Sequence, residues 1–218
     1  MAASSLVLFD IDGTLIRKAG PHHRQALEFA VRRIAGVEEA TTEGIPTQGM
    51  LDTDIVETML GRTGYSLRKA RALMPEIFAV AERRYVRIVP NLEKKRCPGA
   101  RMLLWRLFQR GVPTGLVTGN LPRIGWKKME RAGLKQYLQF GSFAGAAKDR
   151  AGLVKLAMAH ARREGWLTRQ TSVTLIGDHP NDILAAKANS VRSVAVATGV
   201  VGAEELAAHN PDLLIPDL

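Results

Sequence analysis

Short apolar runs alternate with helical segments along most of the chain. Three of these runs stop at a polar residue, at Asp10, at Thr118 and at Asp178. Apolar residues at spacings of three and four follow the runs, as expected for amphipathic helices. This alternation predicts an α/β fold, a doubly wound parallel sheet with right-handed crossovers. Because such sheets bind ligands outside the carboxyl ends of their strands, the residues that end the runs are the first functional candidates.

Residues 19–91 break the alternation. Ala26, Ala30 and Ile34 recur at helical spacing, and Ser66 has the position of an N-cap for a longer helix. No period-2 pattern typical of strands occurs in this stretch. We therefore expect a small α-helical domain inserted after the first strand, covering residues 19–91. The core would then consist of residues 1–18 and 92–218.

The composition limits the class of protein. The chain has 218 residues, of which 46% are hydrophobic and 24% charged, as in folded soluble domains. Lys and Arg number 31 against 21 Asp and Glu, which gives a net charge of +10. This excess favours an anionic partner, which can be nucleic acid, a membrane surface or a phosphorylated metabolite.

A single cysteine, Cys97, rules out an intrachain disulfide and a cysteine-rich zinc site. The amino-terminal residues lack the basic region of a signal peptide, and no apolar stretch reaches the length of a membrane span. The expected location is the cytoplasm, with no membrane partner. No feature of the sequence specifies the oligomeric state.

The first polar motif is Asp10-Ile-Asp12-Gly13-Thr14. Asp10 ends a strand, and Asp12 lies two residues further, so extended geometry places both carboxylates on one side. Two carboxylates at a strand end suit Mg²⁺, and aspartate can also serve as a nucleophile or as a general acid and base. The alternative is an Asp-Gly turn in which the aspartate binds its own backbone.

The second motif is Thr118-Gly119-Asn120, where a strand end meets the start of a helix. A hydroxyl group and a free glycine amide at a helix N-terminus can hold phosphate oxygens. The alternative is a simple N-cap or hydroxyl turn.

Two further motifs follow. Asp178 ends a strand and could complete a magnesium site with Asp10, while Asp182 could hold a metal-bound water or cap a helix. Lys148 and Arg150 precede another helix, and a cation there could neutralise phosphate charge. The alternative for this basic pair is a solvated loop.

Taken together and in this order, the motifs resemble those of the haloacid dehalogenase-like (HAD) superfamily of hydrolases, over Leu6 to about Leu214. The helical insert resembles the C1 cap of its phosphoglycolate phosphatase-like members. The resemblance implies that Asp10 attacks phosphorus and that Asp12 protonates the leaving alcohol and later activates water. It places Mg²⁺ on Asp10, the backbone carbonyl of Asp12, and Asp178, with Asp182 as a further metal-site residue.

The resemblance also assigns phosphoryl binding to Thr118, the amide of Gly119, Asn120 and a basic residue. The family often has Lys-Pro at its third motif, whereas Lys148 is followed by Asp149 here. Lys148 is the preferred cation because its spacing to the next helix fits. Arg150 is the second choice, and Lys127 or Lys128 stays open.

Specificity in C1-capped members lies in the cap. The polar segment Thr47–Asp52 lies between two predicted helices, and Gly49 and Asp52 are candidate substrate contacts. Turn and N-cap roles are equally consistent with these two residues.

The resemblance implies Mg²⁺-dependent hydrolysis of a small phosphomonoester of the phosphoglycolate or sugar phosphate class. The acid at Asp12 disfavours dehalogenation. One alternative is a phosphomutase similar to β-phosphoglucomutase. Another is a non-catalytic protein of the same fold that uses a basic surface, with nucleic acid as a secondary candidate partner.

Overall fold

A computed structural model describes residues 4–218; residues 1–3 of the expected core lie outside this range. The described residues form a six-stranded sheet in the order β3-β2-β1-β4-β5-β6, in which every neighbouring pair is parallel. The strands are β1 (Ser5–Phe9), β2 (Thr114–Val117), β3 (Phe140–Ser142), β4 (Ser172–Gly177), β5 (Arg192–Val196) and β6 (Leu213–Ile215). This is the doubly wound order, and it confirms the predicted fold class.

The helices that flank the sheet follow the strands in sequence. They are α4 (Ala100–Gln109), α5 (Pro122–Arg131), α6 (Arg150–Arg163), α7 (Pro180–Ala188) and α8 (Ala203–Ala208), with short 3₁₀ turns at Glu93–Lys95 and Lys135–Tyr137. No helix among residues 4–218 is both long and apolar enough to cross a bilayer.

Strand β1 lies at the centre of the sheet, which explains its composition. Leu6, Leu8 and Phe9 are fully buried, as expected for a parallel strand covered on both faces. Burial of each such side chain contributes about 1.5–3 kcal/mol to the free energy of unfolding. Phe9 is paired with Leu116 on β2 and with Ile176 on β4, so the carboxyl ends of these three strands lie at one edge.

Three helices lie between β1 and α4 in the sequence: α1 (His22–Ala35), α2 (Asp52–Arg62) and α3 (Leu67–Ile88). We call residues 22–88 the helical insert. The three helices pack on one another, and α3 also packs against α5. Ser66 caps α3 as predicted, because its hydroxyl accepts from the amide of Lys69. The role of the insert as a separate cap domain stays a prediction.

Candidate active site

A cavity of about 460 Å³ lies where the carboxyl ends of β1, β2 and β4 meet the helical insert. The strand order reverses between β1 and β4, which is where doubly wound sheets bind ligands. Its lining includes Asp10, Asp12, Thr118, Gly119, Asn120, Arg150, Asp178 and His179 from the core, and His23, Gly49, Met50 and Asp52 from the insert. The volume suits a small metabolite.

Three buried carboxylates meet at the base of the cavity. Asp10 directly follows β1, Asp178 directly follows β4, and Asp182 lies in the first turn of α7. One oxygen of each lies within 4.8 Å of the others. Asp182 also forms part of the helix cap, because its Oδ2 accepts from the amide of His179 at 3.2 Å. The structure therefore brings together three of the residues predicted to form the metal site.

Arg150 lies among these carboxylates. Its Nη1 is 3.1 Å from Oδ1 of Asp10 and 2.7 Å from Oδ1 of Asp182. Burial raises the pKa of Asp178 to about 8. Repulsion from Asp10 and Asp182 adds to this effect, because a single guanidinium faces the three carboxylates. Burial likewise raises the pKa of Asp182, to about 7. The base of the cavity is thus short of positive charge.

The donor set fits a hard divalent cation. One guanidinium among three carboxylates leaves the cluster with a net charge of −2 when all three are ionised. Buried carboxylate oxygens are also the ligands that Mg²⁺ prefers. Oδ1 of Asp10 is buried, and its 3.1 Å contact with Arg150 is an ion pair without hydrogen-bond geometry, so among residues 4–218 this oxygen receives no hydrogen bond. The carboxylate of Asp12 lies outside this cluster, so a metal role for Asp12 rests on its backbone carbonyl alone and stays a prediction.

Asp12 belongs to a second cluster on the other side of the cavity. Its carboxylate accepts from Nζ of Lys128 at 2.6 and 2.8 Å and from Nδ2 of Asn120 at 2.8 Å. Desolvation raises the pKa of Asp12, but the charge of Lys128 and the hydrogen bonds outweigh this effect, so the pKa is lowered below its usual value. Asp12 is therefore ionised while Lys128 is bound to it.

The loop after β2 joins this second cluster. Thr118 is fully buried, and its hydroxyl oxygen accepts from Nδ2 of Asn120 at 2.8 Å. Within the described part of the chain this hydroxyl has no acceptor, so its proton can be donated to a ligand oxygen. The loop leads into the N-terminus of α5, whose dipole favours an anion. The amides of Leu121 and Arg123 at this terminus are already bound to the carboxylates of Asp52 and Glu82.

Two residues predicted to determine specificity connect the insert to the core. Asp52 is 2% exposed, its Oδ2 accepts from the amide of Leu121 at 2.7 Å, and its own amide donates to the carbonyl of Gly119 at 2.7 Å. The carbonyl of Gly49 accepts from Nδ2 of Asn181 at 2.9 Å. Their part in substrate selection stays a prediction, but both hold the insert against the site.

The structure does not match the preference for Lys148 as the cation of the site. Lys148 is exposed and is not among the described residues that line the cavity. Asp149 caps α6 by accepting from the amide of Gly152 at 2.8 Å, so Lys148 precedes the helix while Arg150 is turned inward. Lys127 forms a surface pair with Glu130 at 2.6 Å. Lys128 is buried behind the cavity lining and reaches the site through its contacts with Asp12 and Asn120, which do line the cavity.

Sequence reasoning left Lys128 as one of several candidates and assigned no site role to His23. A signal for Lys128 exists in the helix period: it lies four residues after Ile124 and next to Met129, on the buried face of α5. His23 carries the same signal, because it lies three and four residues before the buried Ala26 and Leu27 of α1. The helix period does not specify its partners, which come from α2, α3 and α5.

The chain matches the family model described as haloacid dehalogenase-like hydrolase over residues 5–189. A comparison with curated proteins found no match.

Solved structures share the fold at low identity. A β-phosphoglucomutase from Clostridium difficile is 16% identical with a TM-score of 0.69, covering 100% of this chain and 92% of that one. A predicted phosphoglycolate phosphatase from Haemophilus somnus is 16% identical with a TM-score of 0.66, covering 98% and 94%. A haloacid dehalogenase-like family protein from Streptococcus pneumoniae is 16% identical with a TM-score of 0.64, covering 96% and 92%.

At these identities the solved structures support the fold alone. The family model covers most of the chain, including the loops that carry Asp10, Thr118 and Asp178. The chain belongs to the haloacid dehalogenase-like hydrolases.

Proposed function

We propose that the protein hydrolyses a small phosphomonoester with the help of Mg²⁺, and that the helical insert acts as the cap over the site. The observation that carries the proposal is the separation of two acidic groups in one cavity. Asp10 lies with Asp178 and Asp182 in a cluster suited to a cation, whereas Asp12 is held apart by Lys128 and Asn120. A nucleophile and a general acid need two such different surroundings.

In this proposal a carboxylate oxygen of Asp10 attacks phosphorus, and the bond from phosphorus to the leaving oxygen breaks. Asp12 gives its proton to the leaving oxygen. In the second half-reaction Asp12 takes a proton from water, whose oxygen attacks the phosphorus of the aspartyl-phosphate. The bond from phosphorus to the Asp10 oxygen breaks, which restores the Asp10 carboxylate and releases inorganic phosphate. A bound Mg²⁺ would neutralise charge between the Asp10 carboxylate and the phosphoryl group.

The phosphoryl oxygens would be held by Thr118, the amide of Gly119 and the two inward cations, Lys128 and Arg150. Asp12 has to carry a proton when the leaving group departs, and Lys128 opposes this while it is bound to Asp12. Phosphoryl oxygens compete with Asp12 for the ammonium group of Lys128. As they take it, Asp12 regains its affinity for a proton.

The substrate class we propose is phosphoglycolate or a sugar phosphate. The cavity volume supports a small substrate, and Arg17, Lys18 and Arg24 line its entrance with positive charge. A location in the cytoplasm stays a prediction.

A phosphomutase is the second candidate. It is favoured by the structural likeness to a protein described as β-phosphoglucomutase. A mutase would interconvert two sugar phosphates and release no net phosphate. The third reading, a non-catalytic protein that binds nucleic acid, is disfavoured by the complete set of carboxylates; salt-dependent retention of nucleic acid by the purified protein would support it.

The test is release of inorganic phosphate from a panel of phosphomonoesters, with Mg²⁺ and with EDTA. We expect hydrolysis of at least one small ester with Mg²⁺, and a loss of at least about a thousand-fold in Asp10→Asn. Asp217→Asn is the matched control, because this carboxylate is exposed and does not line the cavity, and it should keep the wild-type rate. Absence of hydrolysis across the whole panel in both conditions would overturn the proposal.

A further inference from the structure

A chain of hydrogen bonds runs from the helical insert to Asp12. Oδ2 of Asp52 lies 3.0 Å from Nε2 of His23, and Nδ1 of His23 lies 3.1 Å from Nζ of Lys128. Lys128 in turn binds Asp12. His23 belongs to α1 and Asp52 to α2, so two helices of the insert contribute to the setting of a core residue.

The chemistry of the chain fixes the state of His23. An ammonium group can only donate, so Nδ1 of His23 has to be an acceptor without a proton. The proton then lies on Nε2 and is donated to the carboxylate of Asp52, which also accepts from the amide of Leu121 at 2.7 Å. The edge-to-face contact with Tyr85, at 5.8 Å between ring centroids, restrains the plane of the imidazole.

Lys128 is 1% exposed and has acceptors on three sides: the carboxylate of Asp12, Oδ1 of Asn120 and Nδ1 of His23. A phosphoryl group that displaces Asp12 removes one of these sides. The contacts with His23 and Asn120 are then what keeps the ammonium group directed at the ligand.

We propose that His23, oriented by Asp52, is a positioning residue that holds Lys128 in place for phosphoryl binding. This inference rests on the proposed function, since it assigns Lys128 to the phosphoryl group. It also links the phosphate site to the docking of the insert. The amide of Asp52 donates to the carbonyl of Gly119, and its carboxylate accepts from the amide of Leu121. His23 therefore reaches Lys128 only when the insert lies on the core.

The test compares two substitutions at one position. His23→Phe keeps a ring but removes both hydrogen bonds, whereas His23→Gln retains an acceptor for Lys128 and a donor for Asp52. For His23→Phe we expect KM, and the dissociation constant of inorganic phosphate measured by calorimetry, to rise about tenfold. His23→Gln should stay within about threefold of wild type. His22→Phe, at the neighbouring histidine outside the cavity lining, is the matched control.

A double-mutant cycle separates positioning from a general loss of structure. If His23 acts through Lys128, His23→Phe adds no further loss of phosphate affinity in a Lys128→Met background. If the two substitutions weaken phosphate affinity independently, so that their fold-changes multiply, the proposal is overturned. An unchanged phosphate affinity in His23→Phe overturns it as well.

A measurement on the unmodified protein needs neither activity nor a variant. Nitrogen-15 shifts of His23 at neutral pH should show an unprotonated Nδ1 and a protonated Nε2; the opposite tautomer or a doubly protonated ring would contradict the inference. If the wild-type protein binds phosphate but hydrolyses no ester, the proposed function fails while the phosphate affinities still decide the role of His23. A wild-type protein that binds no phosphate overturns both.

Discussion

The two cations of the site, Arg150 and Lys128, differ in the carboxylates that their removal would leave without a counter-charge. Arg150 is 6% exposed and faces two carboxylates that are themselves buried, so loss of its charge would leave Asp10 and Asp182 uncompensated. Breaking such a buried pair costs about 3–5 kcal/mol of folding free energy. Lys128 faces Asp12, whose side chain is 45% exposed to the cavity and can be solvated when its partner is lost. Substitution of Lys128 should therefore affect activity with a smaller loss of folding free energy than substitution of Arg150.

We predict that Lys128→Met lowers kcat/KM by about a hundred-fold or more, because a cation aimed at the transferring phosphoryl group is lost. Lys148→Ala should stay within about twofold of wild type, because Lys148 is exposed outside the cavity. Steady-state kinetics on the best ester of the panel, with thermal melting as the check on folding, measures both. A large loss in Lys148→Ala would return the phosphate-binding role to Lys148.

The sequence specifies the acidic half of this site better than the basic half. Asp10, Thr118 and Asp178 could be predicted because each directly follows a buried strand, and parallel strands bring their carboxyl ends to one edge. Lys128 lies on a helix, where the inward direction depends on the helix phase and on which strands and helices lie beside it. His23 and Asp52 meet only through the packing of α1 on α2, which no local pattern specifies.

At the scale of elements, the segment from Gly49 to Asp52 makes a close contact between the insert and the core. A Cβ atom on Gly49 would lie 2.3 Å from Nδ1 of His179, and a Cβ atom on Gly119 would lie 2.3 Å from the carbonyl oxygen of Met50. Both distances are far below van der Waals contact, so at Gly119 two backbones, and at Gly49 the backbone and the ring of His179, approach more closely than a residue with a Cβ atom allows. The turn left open as an alternative for Gly49 is present, whereas the N-cap role left open for Asp52 is not, since Leu51 is the N-cap and Asp52 is the first residue of α2.

We predict that Gly49→Ala impairs activity through the docking of the insert. Gly49 has a φ of +68°, and its Cβ atom would overlap the ring of His179. Gly36 has the same φ of +68° with no atom within 4 Å, so Gly36→Ala carries the same backbone strain without the overlap. Both variants should lose a similar amount of thermal stability from strain. Only Gly49→Ala should also lower kcat/KM, by about tenfold or more; equal kinetic losses would mean that backbone strain alone is responsible.

At the scale of the whole molecule, positive charge predominates over the chain, while negative charge is concentrated at the base of the cavity. The chain carries a net charge of +10, yet three of its carboxylates are buried together at the end of the central strands. Cations at the cavity entrance can attract a phosphorylated ligand towards a base that is itself acidic. The alternation of strands and helices predicted this layout of layers, whereas the order of the strands, which brings Asp10 beside Asp178, follows from long-range pairing that alternation does not specify.

The buried acidic cluster gives the metal-free protein a characteristic dependence on pH. The pKa values of Asp178 and Asp182, about 8 and about 7, lie above the ordinary value of 3.8. Between pH 4 and pH 8 these two groups therefore hold more protons in the folded chain than in the unfolded one. Their contribution to the free energy of unfolding is complete below about pH 4 and is lost as the pH rises through 7 and 8.

A divalent cation replaces these protons, so its effect on stability has to grow as they leave. We predict that Mg²⁺ raises the melting temperature more at pH 8.5 than at pH 5, relative to EDTA with KCl at matched ionic strength. At one hundred times the dissociation constant, the added stability is about 2.7 kcal/mol. Asp178→Asn, which removes one carboxylate of the cluster, should weaken both the pH dependence in EDTA and the effect of Mg²⁺. An equal effect of Mg²⁺ at the two pH values would show that the cation does not bind where these protons are held.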